Sequence, residues 1–164
     1  MLKSFLLQLF IIVIVFNLVS TVRESSMLSS WDKDTAPNFE LTSLNKQKTY
    51  LFDSQNNNSK KTVIYFFAPW CSICKLSISN LQKLYENSEK INVVAVALDY
   101  VNPLQVEDFA QDLDLSLPIV YGNEEVKKAY QVSAYPSYYV VANNEIQHRS
   151  MGYSTELGLF LRSR

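Results

Sequence analysis

Phe66-Phe67-Ala68-Pro69-Trp70-Cys71-Ser72-Ile73-Cys74-Lys75 is the most informative stretch of this chain, and it contains both of its cysteines. The run from Thr62 to Phe67 is β-branched and aromatic without a break, which predicts a strand buried on both faces. Downstream, apolar residues recur at the spacing of one helix face, namely Cys74, Ile78, Leu81 and Tyr85. The two cysteines are therefore expected between a buried strand and the first turn of a helix.

The elements that follow predict an α/β domain. Ile91 to Leu98 is a second buried strand, so a strand, a helix and a strand follow one another, as in a βαβ unit with parallel strands and a right-handed crossover. Turn and cap signals predict the remaining elements: a helix from Asn102 to about Leu113, a strand from Leu117 to Tyr121, a helix capped by Asn123, a hairpin of Ser137 to Val141 with Glu145 to Met151, and a closing helix after Ser154.

The C-x-x-C pair has the pattern of a redox-active dithiol. A thiolate at a helix N-terminus is stabilised by unpaired amide N–H groups and by the helix dipole, which lowers its pKa. Cys71 is expected there and partly exposed, whereas Cys74 begins the buried face. Cys71 would then attack a disulfide, and Cys74 would resolve the mixed disulfide.

Other roles for the pair are less well supported by the sequence. Half of a metal site is disfavoured because the chain has no further cysteine. A purely structural disulfide is disfavoured because so short a loop constrains the unfolded chain little. A redox-inactive binding module with the same fold stays an alternative.

The segment from Phe66 to Lys75 resembles the active-site segment of the thioredoxin superfamily. Ala36-Pro37-Asn38-Phe39-Glu40-Leu41 resembles the N-terminal strand segment of its membrane-anchored bacterial branch, the TlpA/ResA/DsbE-like proteins. The resemblance spans about Ala36 to Gly152. It implies a thioredoxin-like fold, with helices flanking a central mixed β-sheet, and the activity of a protein thiol-disulfide oxidoreductase without a bound cofactor or metal.

The same resemblance implies roles for three residues near the dithiol. Tyr135-Pro136 matches the cis-proline site of the superfamily, where the backbone of the preceding residue pairs with the substrate chain. Proline also has no amide N–H and coordinates metal poorly, which would keep the dithiol metal-free. Trp70, directly before Cys71, is expected to support the site.

Two residues depart from the pattern of the superfamily. Tyr65 occupies the position of a buried acid that is often found near the dithiol, and Ser77 occupies the position of a glutamate that is common in TlpA/ResA-like proteins. The proton acceptor for Cys74 is therefore unassigned. Asp99, at the end of the second strand, is a weak candidate for this acceptor and is better interpreted as a solvated carboxylate, in which case water would serve instead.

The amino terminus predicts a membrane anchor over residues 1–23. Ser4 to Val22 is a run of 19 residues without a charge, which is long enough to cross the hydrocarbon core, and no good cleavage site follows it. Lys3 before this run favours a cytoplasmic amino terminus and an extracytoplasmic domain. A cleaved signal peptide is the alternative. Residues 24–30 are expected to form a linker, and residues 31–164 the thioredoxin-like domain.

Composition excludes several other classes of function. The pI is near 5.8, the net charge is −1, and the sequence has no long basic run, so nothing in it indicates a surface that binds nucleic acid. Three scattered glycines cannot form a nucleotide-binding loop. One histidine and two cysteines cannot by themselves complete a structural zinc site.

The sequence thus predicts an extracytoplasmic thiol-disulfide oxidoreductase in the inner membrane that reduces oxidised proteins. Apocytochrome c is one such substrate, and the superfamily implies a membrane electron donor of the DsbD or CcdA type. An SCO-like copper assembly factor is an alternative. Such a protein would use C-x-x-x-C with a distal histidine, but the spacing here is one residue short and His148 lies in a polar strand. A peroxiredoxin would need threonine where Ala68 stands.

Overall fold

The computed structural model describes residues 2–24, 26–30, 32, 34–53 and 60–163. The helices are α1 (Leu2–Glu24), α2 (Ser72–Asn87), α3 (Pro103–Asp112), α4 (Glu124–Ala129) and α5 (Glu156–Arg162). The strands are β1 (Glu40–Ser43), β2 (Lys48–Tyr50), β3 (Lys61–Phe67), β4 (Ile91–Ala97), β5 (Ile119–Tyr121), β6 (Ser137–Ala142) and β7 (Glu145–Met151). Trp31 and Arg164, the expected ends of the domain, lie outside the described residues.

The described strands form a mixed sheet in the order β2-β1-β5-β4-β3-β6-β7. β4 pairs in parallel with both β3 and β5. The other neighbouring strands are antiparallel. The strand β3, the helix α2 and the strand β4 form the expected βαβ unit, and the mixed sheet flanked by helices confirms the fold class.

The strand β3 is buried on both faces because a layer of side chains covers each face of the sheet. Tyr65 and Phe67 face the layer that contains α2 and α3, where the ring of Phe67 stacks 4.7 Å from that of Phe109. Ile64 and Phe66 face the opposite layer, which contains α4 and the segment before β1. This alternation follows from the two-residue period of a strand. It leaves the carboxyl end of β3 as the place where the chain emerges towards Cys71.

The N-terminal caps that the sequence predicts for two helices are confirmed. The Asn102 side chain accepts a hydrogen bond from the Gln105 N–H, and the Gln105 side chain accepts one from the Val101 N–H (3.2 and 2.8 Å). Asn123 caps α4 by accepting from the Val126 N–H at 2.9 Å. These bonds satisfy first-turn N–H groups that have no partner within the helix.

Two sequence predictions were wrong in detail. Tyr85 does not lie on the buried face of α2, because it lines an open surface cavity and is 38% exposed, and Leu84 is buried instead. The strand β5 begins at Ile119 rather than at Leu117, since Pro118 has no N–H with which to extend the ladder.

The side chains that the structure describes in α1, residues 6–19, 22 and 24, are mostly apolar. All those from residue 6 to residue 19 are exposed. Over the described residues, no helix is long and apolar enough to cross a membrane.

The segment after α1, where a linker is expected, packs on the domain. Met27 is 3% exposed and belongs to the core. Arg149 donates from Nη1 to the carbonyl oxygens of Met27 and Leu28 at 2.5 and 2.9 Å. Ser150 donates to the Glu24 carboxylate at 3.2 Å. The chain is therefore attached to β7 directly after α1.

Candidate active site

Cys71 and Cys74 form a disulfide between the carboxyl end of β3 and the first turn of α2, with their Cα atoms 5.2 Å apart. Cys71 is the N-cap residue of α2, and its Sγ accepts a hydrogen bond from the Cys74 N–H at 3.1 Å. Cys71 is 8% exposed, whereas Cys74 is fully buried. Cys71 is therefore almost buried rather than partly exposed as the sequence predicts, whereas Cys74 is buried as predicted, and of the two only Cys71 reaches the surface.

The start of α2 holds the Cys71 sulfur in an electropositive position. The Cys71 N–H donates to the Ala68 carbonyl at 3.0 Å, and the Lys75 N–H donates to the Cys71 carbonyl at 3.2 Å, which fixes the turn into the helix. The first turn of α2 contains no acidic residue. Once the disulfide is reduced, a thiolate on Cys71 would meet the helix dipole and free N–H groups, and both lower a thiol pKa.

Trp70 and Tyr135 lie against each other beside the dithiol. Their rings meet edge to face, with centroids 5.9 Å apart. The Tyr135–Pro136 peptide bond is cis. Ser137, the next residue, pairs with Phe66 in the sheet, which brings this loop to the end of β3 where the cysteine segment begins. The structure thus brings together Trp70, Tyr135, Pro136 and the disulfide.

Asp99 is exposed, as the sequence suggests, but its carboxylate also forms an ion pair. Both of its carboxylate oxygens bind the Lys127 ammonium, at 2.9 and 2.7 Å, and its backbone carbonyl accepts from the Trp70 indole N–H at 3.0 Å. Its backbone is left-handed, with φ +50°. Burial is the main cause that raises the pKa of the Tyr135 hydroxyl, and the neighbouring Asp99 carboxylate raises it further.

Tyr65 and Ser77, the two departures from the superfamily pattern, are both fully buried in the core layer that contains Cys74. Among the residues that the structure describes, the Tyr65 hydroxyl has no partner at hydrogen-bond distance. Burial raises its pKa well above the usual range for a tyrosine, and the neighbouring Ser77 hydroxyl opposes this only in part. The phenol therefore stays protonated at physiological pH and is no base for Cys74.

One contact at the site has little signal in the sequence. The contact between Asp99 and Lys127 joins residues 28 positions apart and depends on the turn at Asp99. The sequence places Asp99 at the carboxyl end of a parallel strand, where functional side chains often meet, but it does not indicate that Lys127 lies beside it. Among the described residues, no three His, Cys, Asp or Glu side chains lie close enough together to hold a metal ion.

Comparison with known proteins gives a family and named relatives. Residues 33–149 match the AhpC/TSA family. The thiol-disulfide oxidoreductase ResA of Oceanobacillus iheyensis is 30% identical over 155 residues, which are 92% of this chain and 80% of that protein. The thioredoxin-like protein YneN of Bacillus subtilis is 30% identical over 148 residues, which are 86% of this chain and 85% of that protein.

A solved structure agrees with this assignment at the level of the fold. The crystal structure of StoA from Bacillus subtilis superposes with a TM-score of 0.69 at 24% identity, and the match covers 80% of this chain and 99% of that one. In this chain, the C-x-x-C disulfide lies at a helix N-terminus beside a thioredoxin-like sheet, so the position of the cysteines and the fold agree with each other. The chain therefore belongs to the thioredoxin-like AhpC/TSA family, and it is a thiol-disulfide oxidoreductase.

Proposed function

We propose that the chain is an extracytoplasmic reductase of protein disulfides, with Cys71 as the nucleophile and Cys74 as the resolving thiol. The observation that carries this proposal is the asymmetry of the pair. Cys71, at the N-cap of α2, is 8% exposed, whereas Cys74 is fully buried beneath it. A substrate disulfide can therefore approach the Cys71 sulfur first.

In the first step, the Cys71 thiolate of the reduced enzyme attacks one sulfur of a substrate disulfide. An S–S bond forms between Cys71 and the substrate, while the substrate's own S–S bond breaks. The second substrate sulfur leaves as a thiolate and takes a proton from solvent. The Cys74 N–H, which lies 3.1 Å from the Cys71 Sγ, and the dipole of α2 stabilise the attacking thiolate.

In the second step, Cys74 gives its proton to water and attacks the Cys71 sulfur. The Cys71–Cys74 disulfide of the structure forms, and the remaining substrate sulfur leaves and is protonated. In total, two electrons and two protons pass from the enzyme dithiol to the substrate disulfide. We propose water as the proton acceptor, reached once the mixed disulfide opens the site, since the phenol of Tyr65 in the same core layer stays protonated.

Trp70, Tyr135 and Pro136 support the site in this proposal. The main chain of Tyr135 pairs with the substrate chain, and Trp70 packs against the Tyr135 ring. Pro136 offers no amide N–H and no metal ligand beside the two sulfurs. These roles are supported by the position of the loop at the end of β3.

The direction of electron flow is supported by the residues between the cysteines. A strong oxidant needs a reduced form that is unusually stable. Ser72 and Ile73 supply no imidazole that would stabilise the Cys71 thiolate beyond what the helix provides. We infer a reducing dithiol that acts on oxidised proteins, with the cysteines of apocytochrome c, and hence cytochrome c biogenesis, among its substrates.

The proposed location is the outer side of the inner (cytoplasmic) membrane, held there by residues 1–23. The 19-residue run without a charge and the exposed apolar side chains on α1 support this anchor. Because no thioredoxin reductase works in that compartment, a membrane donor of the DsbD or CcdA type would reduce the dithiol again.

Cysteine variants test the assignment of roles. Cys74→Ala should accumulate mixed disulfides through Cys71, visible by non-reducing electrophoresis and lost with dithiothreitol. Cys71→Ala should abolish insulin reduction while the circular dichroism stays unchanged. Full activity of Cys71→Ala would contradict the assignment.

The reduction potential of the Cys71–Cys74 pair tests the direction of electron flow. A value below about −220 mV supports a reductase, and a value above about −150 mV supports an oxidase.

A further inference from the structure

Four side chains beside the disulfide form a closed ring of contacts, which we call the rim cluster: Trp70, Asp99, Lys127 and Tyr135. Trp70 donates its indole N–H to the Asp99 carbonyl at 3.0 Å. The Asp99 carboxylate binds Lys127, whose ammonium lies 6.0 Å from the centre of the Tyr135 ring. The Tyr135 ring in turn meets the Trp70 ring at 5.9 Å, which closes the circuit.

The rim cluster joins four separate parts of the chain at one edge of the sheet. Trp70 lies in the turn before α2, Asp99 follows β4, Lys127 lies on α4, and Tyr135 precedes β6. Asp99 connects them because it uses two of its groups, the backbone carbonyl towards Trp70 and the carboxylate towards Lys127. Its left-handed backbone, with φ +50°, is uncommon for a residue other than glycine.

The ion pair at the centre of this cluster has a local effect. The side chains of Lys127 and Asp99 are 26% and 34% exposed. Partly exposed ion pairs contribute little to the stability of a whole domain, because solvent screens them. The two rings meet this pair of residues through different groups: the Asp99 backbone carbonyl accepts from the Trp70 indole, and the Lys127 ammonium lies over the Tyr135 ring.

Those rings lie near the disulfide, since Trp70 directly precedes Cys71 and Tyr135 packs against Trp70. Trp70 is 63% exposed although its indole N–H is already bonded within the protein, so one face of a fixed ring is free for the substrate. Ile73, two residues after Cys71, is 50% exposed and adds a further apolar side chain beside the exposed Ser72 and Lys75. A segment of a protein substrate can cover more of this surface than a small disulfide can.

We propose that Asp99 and Lys127 are positioning residues, which hold Trp70 and Tyr135 in the arrangement that binds an extended segment of a protein substrate beside Cys71. The proposal rests on the nucleophilic role of Cys71 but not on the direction of electron flow. A small thiol or disulfide touches the sulfur alone and is indifferent to the rim cluster.

The test uses the full chain with Cys74→Ala, so that a mixed disulfide at Cys71 persists. The Cys71 thiol is first converted to its mixed disulfide with 2-mercaptoethanol by exchange with excess bis(2-hydroxyethyl) disulfide, which is then removed. This protein is equilibrated with a short apolar cysteine peptide and 2-mercaptoethanol as free thiols, and mass spectrometry gives the ratio of the two mixed disulfides. Lys127→Met and Asp99→Asn should each lower the preference for the peptide about fivefold. The double variant should lose no more than either single one, because the two residues act as a pair.

Lys128→Met is the matched control. It removes the same charge from the neighbouring residue of α4, whose ammonium lies 3.7 Å from Glu124 and is largely exposed. The peptide preference should stay unchanged. An equal loss in this control would assign the effect to net charge and overturn the proposal, as would an unchanged preference in both Lys127→Met and Asp99→Asn.

Fluorescence gives a second readout that needs no thiol chemistry. The chain has two tryptophans, so Trp31→Phe leaves Trp70 as the single reporter. Lys127→Met should lower the anisotropy of Trp70, and Lys128→Met should not. Unchanged anisotropy in Lys127→Met would refute the positioning role. A Cys74→Ala protein that forms no mixed disulfide at all would instead refute the nucleophilic role of Cys71.

Discussion

Tyr65 brings a hydroxyl group into the core next to the catalytic helix without giving it a hydrogen bond. A buried hydroxyl without a partner has lost its bonds to water and gained nothing in return. At the level of this residue, stability should therefore improve when the oxygen is removed and the ring is kept.

Tyr65→Phe is expected to raise the free energy of unfolding by about 1 kcal/mol, measured as a higher urea midpoint with an unchanged slope. Tyr139→Phe is the matched control on the other face of the sheet, because its hydroxyl donates to the Tyr130 carbonyl at 2.6 Å and accepts from the Leu28 N–H at 3.3 Å. That variant should lose about 1 kcal/mol. Destabilisation by both changes would mean that the Tyr65 hydroxyl has a partner.

Individual site residues differ in how far the sequence reveals them. Cys71 and Cys74 are found because strand, motif and helix are contiguous, so one local pattern carries the whole signal. The ion pair of Asp99 has no such local signal, because its partner, Lys127, lies on another element, and only the folded chain brings the two within 2.7 Å. Local patterns report burial well, but they do not report which charges meet.

At the level of elements, the caps of the short helices matter because α3 and α4 have only 10 and 6 residues. Helices this short are marginal without tertiary contacts and satisfied ends. The reciprocal bonds of Asn102 and Gln105 at the start of α3 are therefore expected to contribute measurably to stability.

Asn102→Ala should lower the free energy of unfolding by about 1 kcal/mol, since the Gln105 N–H loses its side-chain acceptor. Asn102→Asp keeps an acceptor oxygen in the same place and should retain most of the stability. Thermal unfolding followed by circular dichroism compares the two variants. If both lose equally, the cap is not the source of the effect.

The elements that the sequence predicts are those whose signals are local. The runs that form β3 and β4 are buried and unbroken, and Asn102 and Asn123 mark helix starts through their own side chains. The strand β2 has no such signal, because all three of its residues are exposed and it pairs with β1 alone at the edge of the sheet. Its existence depends on a partner, not on its own composition.

At the level of the whole molecule, the described residues that follow α1 pack on the folded domain. Met27 is buried in the core, and Arg149 binds the carbonyl oxygens of Met27 and Leu28. A domain that starts at residue 31, as the sequence suggests, would lack both of these contacts.

Met27→Ala should lower the free energy of unfolding by about 2–4 kcal/mol, because it leaves a cavity where a buried thioether chain packs. Leu161→Ala, at a side chain that is 61% exposed, is the control and should change it by less than about 0.5 kcal/mol. Urea titration measures both. An unchanged midpoint in Met27→Ala would mean that the segment is a free linker after all.

The attachment of this segment also limits how far the dithiol can travel. Glu24, the last residue of α1, already contacts Ser150, and Met27 is buried three residues later. Three residues reach at most about 10 Å even when fully extended. With α1 held in a bilayer as proposed, the active sulfur would keep a nearly constant height above the lipid. The enzyme would then meet its partners by diffusing in the plane of the membrane. A substrate disulfide at another distance from the bilayer would reach Cys71 only if it lay on a flexible segment of the substrate.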